Sequence, residues 1–266
     1  MSMPPTTFAT LSKGPDPLQA TADTLALVRS RVGECPVRAG MVFSRGLARD
    51  AVARALTSAF PGVALVGAAS EAAVAASGAC EDAAPALAAW WLLGEGYTVS
   101  VATAASSPSG KELAQTAVER AGIEAFQTRF AVLLQDDTPL SSGLFEMLPK
   151  GAAFLGAELA GVWTHEGPAS AALLISDWPT RLATGLEGDS LAEAAKTGLK
   201  RKGIDPTKVV GGLLFETRSD RDLNLGNPAP YVAAVARRLH GVPGRSPVTI
   251  TAGALLLSTV KERAEG

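Results

Sequence analysis

The chain has 266 residues, 47% hydrophobic and 19% charged, with 24 basic and 26 acidic side chains and a net charge of −2. That length holds one large domain or two ordinary ones, and the composition excludes a disordered chain. No stretch concentrates Lys and Arg as nucleic-acid binding requires, and no apolar run approaches the roughly 20 residues of a membrane helix.

The start, Met1-Ser2-Met3-Pro4-Pro5, has no basic segment followed by an apolar core. It therefore carries no sign of a secretory leader, and a cytoplasmic location is expected. Cys35 and Cys80 form no C-x-x-C pair, so a zinc cluster is not expected. Residues 6–11 suit an edge strand, and Asp16-Pro17-Leu18 starts a helix that runs to Arg31. Residues 39–44 form a short apolar run that fits a buried strand. Ala51, Val52, Ala55, Leu56 and Ala59 have helical spacing over 49–60, and Pro61-Gly62 ends that helix. A strand over 63–66 reaches Gly67, and a loop of small residues runs to Asp82. Strands over 86–93 and 97–104 flank Gly94-Glu95-Gly96, which reads as a hairpin turn. A helix over 111–121 stops at Gly122.

The same order then recurs. A strand over 130–135 leads to a helix over 140–148 ending at Pro149-Lys150-Gly151. A strand over 152–155 reaches Gly156, and a loop with Trp163 and His165 leads to strands over 169–176 and 180–184. A helix over 190–202 carries Lys200, Arg201 and Lys202 in its last turn, where basic groups complement the helix dipole, and stops at Gly203. Gly67 matches Gly156, and Gly122-Ile123 matches Gly203-Ile204. A third, truncated copy starts over 209–215 and continues through 231–239 to a strand over 248–251, making Pro61, Pro149 and Pro243 equivalent. The expected fold is α/β: internally duplicated strand–helix–strand units forming mixed sheets flanked by helices, divided at 1–124, 125–204 and 205–266.

Three segments carry a family resemblance: Met41-Val42-Phe43-Ser44, then Phe60-Pro61-Gly62, then Val66-Gly67-Ala68-Ala69-Ser70-Glu71. With a second small-residue loop over 154–161, they resemble the FIST sensory domain family over roughly residues 8–215. Ala68-Ala69-Ser70 stands where that family carries Cys-Ser-Thr. The resemblance implies a small-ligand-binding sensory module for signal transduction, taking an amino acid or small carboxylate and reporting to a separate partner such as a histidine kinase.

Loops at strand ends of open α/β sheets converge on ligand crevices. Gly67 and Gly156 either admit a ligand close to the backbone or only permit tight turns. Ser44, Arg45, Ser70, Glu71 and Glu158 offer polar contacts, and Arg45 suits bidentate recognition of an anion. In Trp163-Thr164-His165-Glu166, His165 suits a haem iron, an acid–base role or a plain surface position. No cofactor is otherwise expected; haem through His165 is one alternative. A small-molecule enzyme using Glu71, Glu158 or His165 as acid or base is another. Trp90-Trp91 puts one ring on each face of its strand. Asp136-Asp137 suits a metal or a turn, Cys80 a reactive thiol, and His240 a helix C-terminus. Gly211-Gly212 is not a phosphate loop.

Overall fold

The computed structural model describes the chain apart from residues 1–2, 33–34, 71–72, 76–77, 80–83, 105–108, 137–142, 180–181, 186–190, 217–230, 236–251 and 259–266. Glu71, Cys80, Asp137, His240 and the strand expected over 248–251 lie outside the described residues.

The chain builds three units of one topology. The first has β1 (Thr6–Lys13), α1 (Pro17–Val32), β2 (Val37–Arg45), α2 (Arg49–Ala59), β3 (Ala64–Ala69), the short strands β4 (Ala73–Ala75) and β5 (Gly78–Ala79), and β6 (Ala86–Leu93). The second has β7 (Val99–Ala104), α3 (Gly110–Ala121), β8 (Phe130–Gln135), α4 (Leu144–Met147), β9 (Ala153–Glu158), the short β10 (Trp163–Thr164) and β11 (Gly167–Pro168), and β12 (Ala171–Ser176). The third has β13 (Leu182–Gly185), α5 (Leu191–Lys202), β14 (Val209–Glu216), β15 (Tyr231–Val235) and β16 (Ala252–Ser258).

Each unit makes a four-stranded sheet in the same order: β1-β6-β2-β3, β7-β12-β8-β9 and β13-β16-β14-β15. Within each, the last two strands named are parallel and the other neighbours antiparallel. Two hairpins cross between units. β10–β11 of the second unit extends the first sheet at β3, and β4–β5 of the first unit extends the third sheet at β15.

One face of all three sheets points into a common core. It holds Met41 and Phe43 of β2, Trp90 of β6, Val132 and Leu134 of β8, Leu155 of β9, and Leu213 and Phe215 of β14. Phe43 and Phe215 meet edge to face with ring centroids 5.7 Å apart, joining the first and third sheets. The other faces carry helices. Val52 and Leu56 of α2 pack with Val42, Leu65 and Trp91, and Leu113, Ala114 and Ala117 of α3 pack with Leu133 and Leu173. A strand covered on both faces reads as continuously apolar, which is why β6 is Ala-Leu-Ala-Ala-Trp-Trp-Leu-Leu and wholly buried. Trp90 does enter the central core, while Trp91 lies on the helix side against Phe60, with centroids 4.9 Å apart, and donates Nε1–H to Thr10 at 3.1 Å.

The mixed sheets and duplicated units stand as expected, but several details differ. Gly94-Glu95-Gly96 does not close a hairpin: β6 pairs with β1 and β2, and β7 pairs with β12. The segment instead passes from sheet to sheet, pinned where Gly94 N donates to Pro36 O and Glu95 N to Met3 O. β7 and α3, grouped by sequence with the first unit, hydrogen-bond and pack with the second. β15 runs parallel to β14, as β3 does to β2, so Pro243 follows the strand that Pro61 precedes and the two are not equivalent. Of the helix expected over 140–148, the described part is Leu144–Met147. Helix α3 stops at Gly122, which takes the left-handed conformation (φ 64°), and starts at Ser109, whose hydroxyl accepts from Glu112 N. Among the described residues, no helix is long and apolar enough to cross a membrane.

Candidate functional site at the strand ends

The parallel pairs β2–β3 and β8–β9 end at the same end of the central core. Their last pairings are Ser44 with Ala69 and Gln135 with Glu158. Ser70 N donates to Ser44 O at 2.9 Å, which carries the first pair one residue further. From Glu158, residues 159–162 pass over the end of the core to the free edge of β3. Leu159 and Val162 plug the core on the way, and Ala69 N donates to Ala160 O at 2.9 Å. Ser70 and Glu158 thus sit at the two feet of one short bridge between units. Both are half-buried.

Strand alternation decides which side chains face this end. Met41 and Phe43 point into the core, so Arg45 follows on that face, as Ser70 follows Val66 and Ala68 and Asp136 follows Val132 and Leu134. Ser44 has the opposite parity and lies on the helix side with Val42. It is buried, and its Oγ has no hydrogen-bond partner among the described residues. Arg45 and Ser70 therefore share the mouth of the core, and Ser44 contributes its carbonyl.

The glycines have packing roles. A Cβ on Gly67 would lie 2.3 Å from the Trp163 ring, so this glycine makes room for the tryptophan of the neighbouring unit. Trp163 is 1% exposed and belongs to the apolar layer under the helices. Gly40 does the same for Trp91, at 2.5 Å. Gly156 lies inside β9, opposite Leu133. The expectation that Gly67 and Trp163 meet a ligand is corrected: each fills the space the other leaves.

His165 N donates to Leu65 O on the edge of β3, five residues before Ser70, or about 16 Å along the strand. Its Nδ1 is buried without a partner among the described residues. His165 and Glu158 are thus not brought together. Glu166 anchors the β10–β11 hairpin instead: its carboxylate accepts from Arg120 at 2.8 Å and from Thr103 at 3.0 Å. The Arg120 hydrogen bond above all, then Thr103, holds the Glu166 carboxyl below the usual carboxylate range. A depressed carboxyl pKa stabilises the fold above its unfolded-state value and ceases to as pH falls through the folded value. Glu166→Gln should therefore cost about 0.2–1 kcal/mol at neutral pH, as exposed pairs do. Urea unfolding should show the difference vanishing as pH drops below the carboxylate range. Cys35 is half-buried, and burial first, then Glu95, pushes its thiol up, away from a reactive thiolate. No group of three His, Cys, Asp or Glu able to hold a metal occurs among the described residues.

Neither a family model nor a curated protein matches the chain. Solved structures do resemble it. A cyanuric acid hydrolase described as an evolutionary innovation by structural concatenation superposes with a TM-score of 0.52 at 13% identity, over 95% of this chain and 100% of that one. The cyanuric acid hydrolase from A. caulinodans gives 0.50 at 11% identity, over 96% and 99%. The likeness is one of fold, and concatenation agrees with the repeated sheets. It corrects the FIST resemblance and the sensory, signal-transducing module inferred from it: the two solved structures that share this fold are cyanuric acid hydrolases. Glycine-ended strands and Pro-Gly turns arise in any strand–helix–strand repeat, and Gly67 has its own explanation in Trp163.

Proposed function

We propose that the chain is a small-molecule hydrolase that opens ring amides of the cyanuric acid type at the mouth of its central core. The observation that carries this reading is the Ala69–Ala160 hydrogen bond of 2.9 Å, which joins equivalent strand-end loops of two units. Ser70 follows Val66 and Ala68 on the core-facing side of that junction, a hydroxyl available as a nucleophile. The fold likeness to two cyanuric acid hydrolases supports the reaction class.

In this mechanism Ser70 Oγ attacks a ring carbonyl and gives up its proton. The ring C–N bond breaks, the nitrogen takes that proton, and the opened substrate stays on Ser70 as an ester. Water then attacks the ester, and its proton restores the hydroxyl. The test is a panel of cyclic ureides and imides, followed by the loss of their ultraviolet absorbance. Ring opening of at least one compound is expected; an inert panel at high enzyme concentration would count against the reading.

A further inference from the structure

Helix α1 is apolar along part of its solvent side, unlike α3 and α5. α3 exposes Lys111, Glu112, Gln115, Glu119 and Arg120, and the described exposed side chains of α5 are polar too. α1 exposes Leu18, Ala22 and Ala26, with Leu25 half-buried beside them, and Leu18 is 63% exposed. A single exposed leucine is ordinary, but an apolar row is not. Leu18, Ala22 and Leu25 are spaced four and then three apart, which puts them on one line along the helix. That is the spacing of a seam between two helices. The opposite side of α1 is already satisfied, since Ala20 and Val28 pack in the core with Trp91.

The row borders a groove. An open cleft of about 450 Å³ lies between α1 and α2, lined by Asp16, Leu18, Ala51, Arg54, Ala55 and Ser58. Ala51 and Ala55 are short, so a further row of side chains has room beside them.

Charge complementarity says what occupies it. Asp16 is exposed just before α1, and its carboxylate accepts from Leu18 N at 2.9 Å. Arg29 and Arg31 are exposed in the last turn. Arg31 lies over the Phe8 ring, 5.8 Å from its centroid, so Arg29, four residues after Leu25, continues the row. In an antiparallel pair of α1 helices, setting Ala22 against Leu25 of the partner subunit sets Arg29 against the partner's Leu18, beside the partner's Asp16. Acid then meets base at both ends, with Leu and Ala between them. This is the self-complementarity a twofold contact demands, and antiparallel helix dipoles favour it too. A parallel pair would set Arg29 against Arg29.

We infer that α1 is the contact between two copies of this chain, packed antiparallel about a twofold axis. The row Leu18, Ala22 and Leu25 of each copy enters the α1–α2 groove of the other. Burial of that row supplies the strength of the contact, and the charges at its ends set its orientation. The contact is independent of the chemistry at the mouth of the core.

Sedimentation equilibrium of the full chain at up to about 100 μM is expected to give twice the mass of one chain. Ala22→Arg puts a charge in the middle of the row, at an exposed position, and should weaken association about a hundredfold. Asp16→Arg and Arg29→Asp each bring like charges together and should weaken it about tenfold. An equal mixture of those two variants should dimerise like wild type, because every end pair is then opposite in sign. Added salt should erase the advantage of the mixture. Circular dichroism and a cooperative melt establish that each variant is folded. A monomer at every concentration would overturn the contact, as would a dimer that Ala22→Arg leaves intact. A mixture that associates no better than its components would overturn the antiparallel alignment.

Discussion

Replacing Trp163 with alanine is expected to destabilise the protein by about 3–5 kcal/mol, as loss of a fully buried aromatic does. The ring is 1% exposed and lies on Gly67 of the neighbouring unit, with Val52, Leu56 and Leu65 in the same apolar cluster. It is the main apolar anchor of the exchanged hairpin, whose strand β10 makes only two pairings with β3. Gly67→Ala attacks the same contact from the other side. Its methyl would approach ring atoms to 2.3 Å, and the stiff indole has the helices behind it. Overpacking of this kind costs about 1–3 kcal/mol or more. The two losses should not add, because removing the indole makes room for the methyl. Urea unfolding of both single variants and the double variant checks this. A double variant as unstable as the sum of the singles would mean the two residues do not act on one another.

Ser70→Ala is expected to lower kcat on any ring amide the protein opens by about 10²–10⁴-fold, the usual scale for losing an assisted proton transfer and its nucleophile. Stability should barely change, since the backbone bond from Ser70 N to Ser44 O is kept.

Much of the fold can be read in the sequence because both faces of its strands are covered. β6 and β8 stand out as unbroken apolar runs, and α3 is bracketed by Ser109 and Gly122. The repeat is legible too, but its phase is not. A periodic sequence gives the same spacings wherever the unit is cut, and only hydrogen bonding decides that β7 belongs with β12 rather than β6. The exchanged hairpins are invisible for a related reason. β10 is Trp163-Thr164 alone, and its partner Gly67–Val66 lies almost a hundred residues earlier, so no local pattern marks it.

The candidate site divides in the same way. The rule that loops at strand ends converge points to Arg45, Ser70 and Glu158; the structure joins two such loops, with Arg45 and Ser70 on the core face and Glu158 on the helix-facing row of Phe154 and Gly156. Gly67 misled because a glycine that admits an indole looks, in sequence, like one that admits a ligand.

The most direct measurement is the intact mass of the protein, quenched during turnover of a ring amide. Ring opening on Ser70 expels no leaving group, so the account predicts an adduct of the whole substrate mass. That adduct should map to the peptide containing Ser70 and be absent from Ser70→Ala. Turnover with no adduct, and with Ser70→Ala as active as wild type, would contradict it.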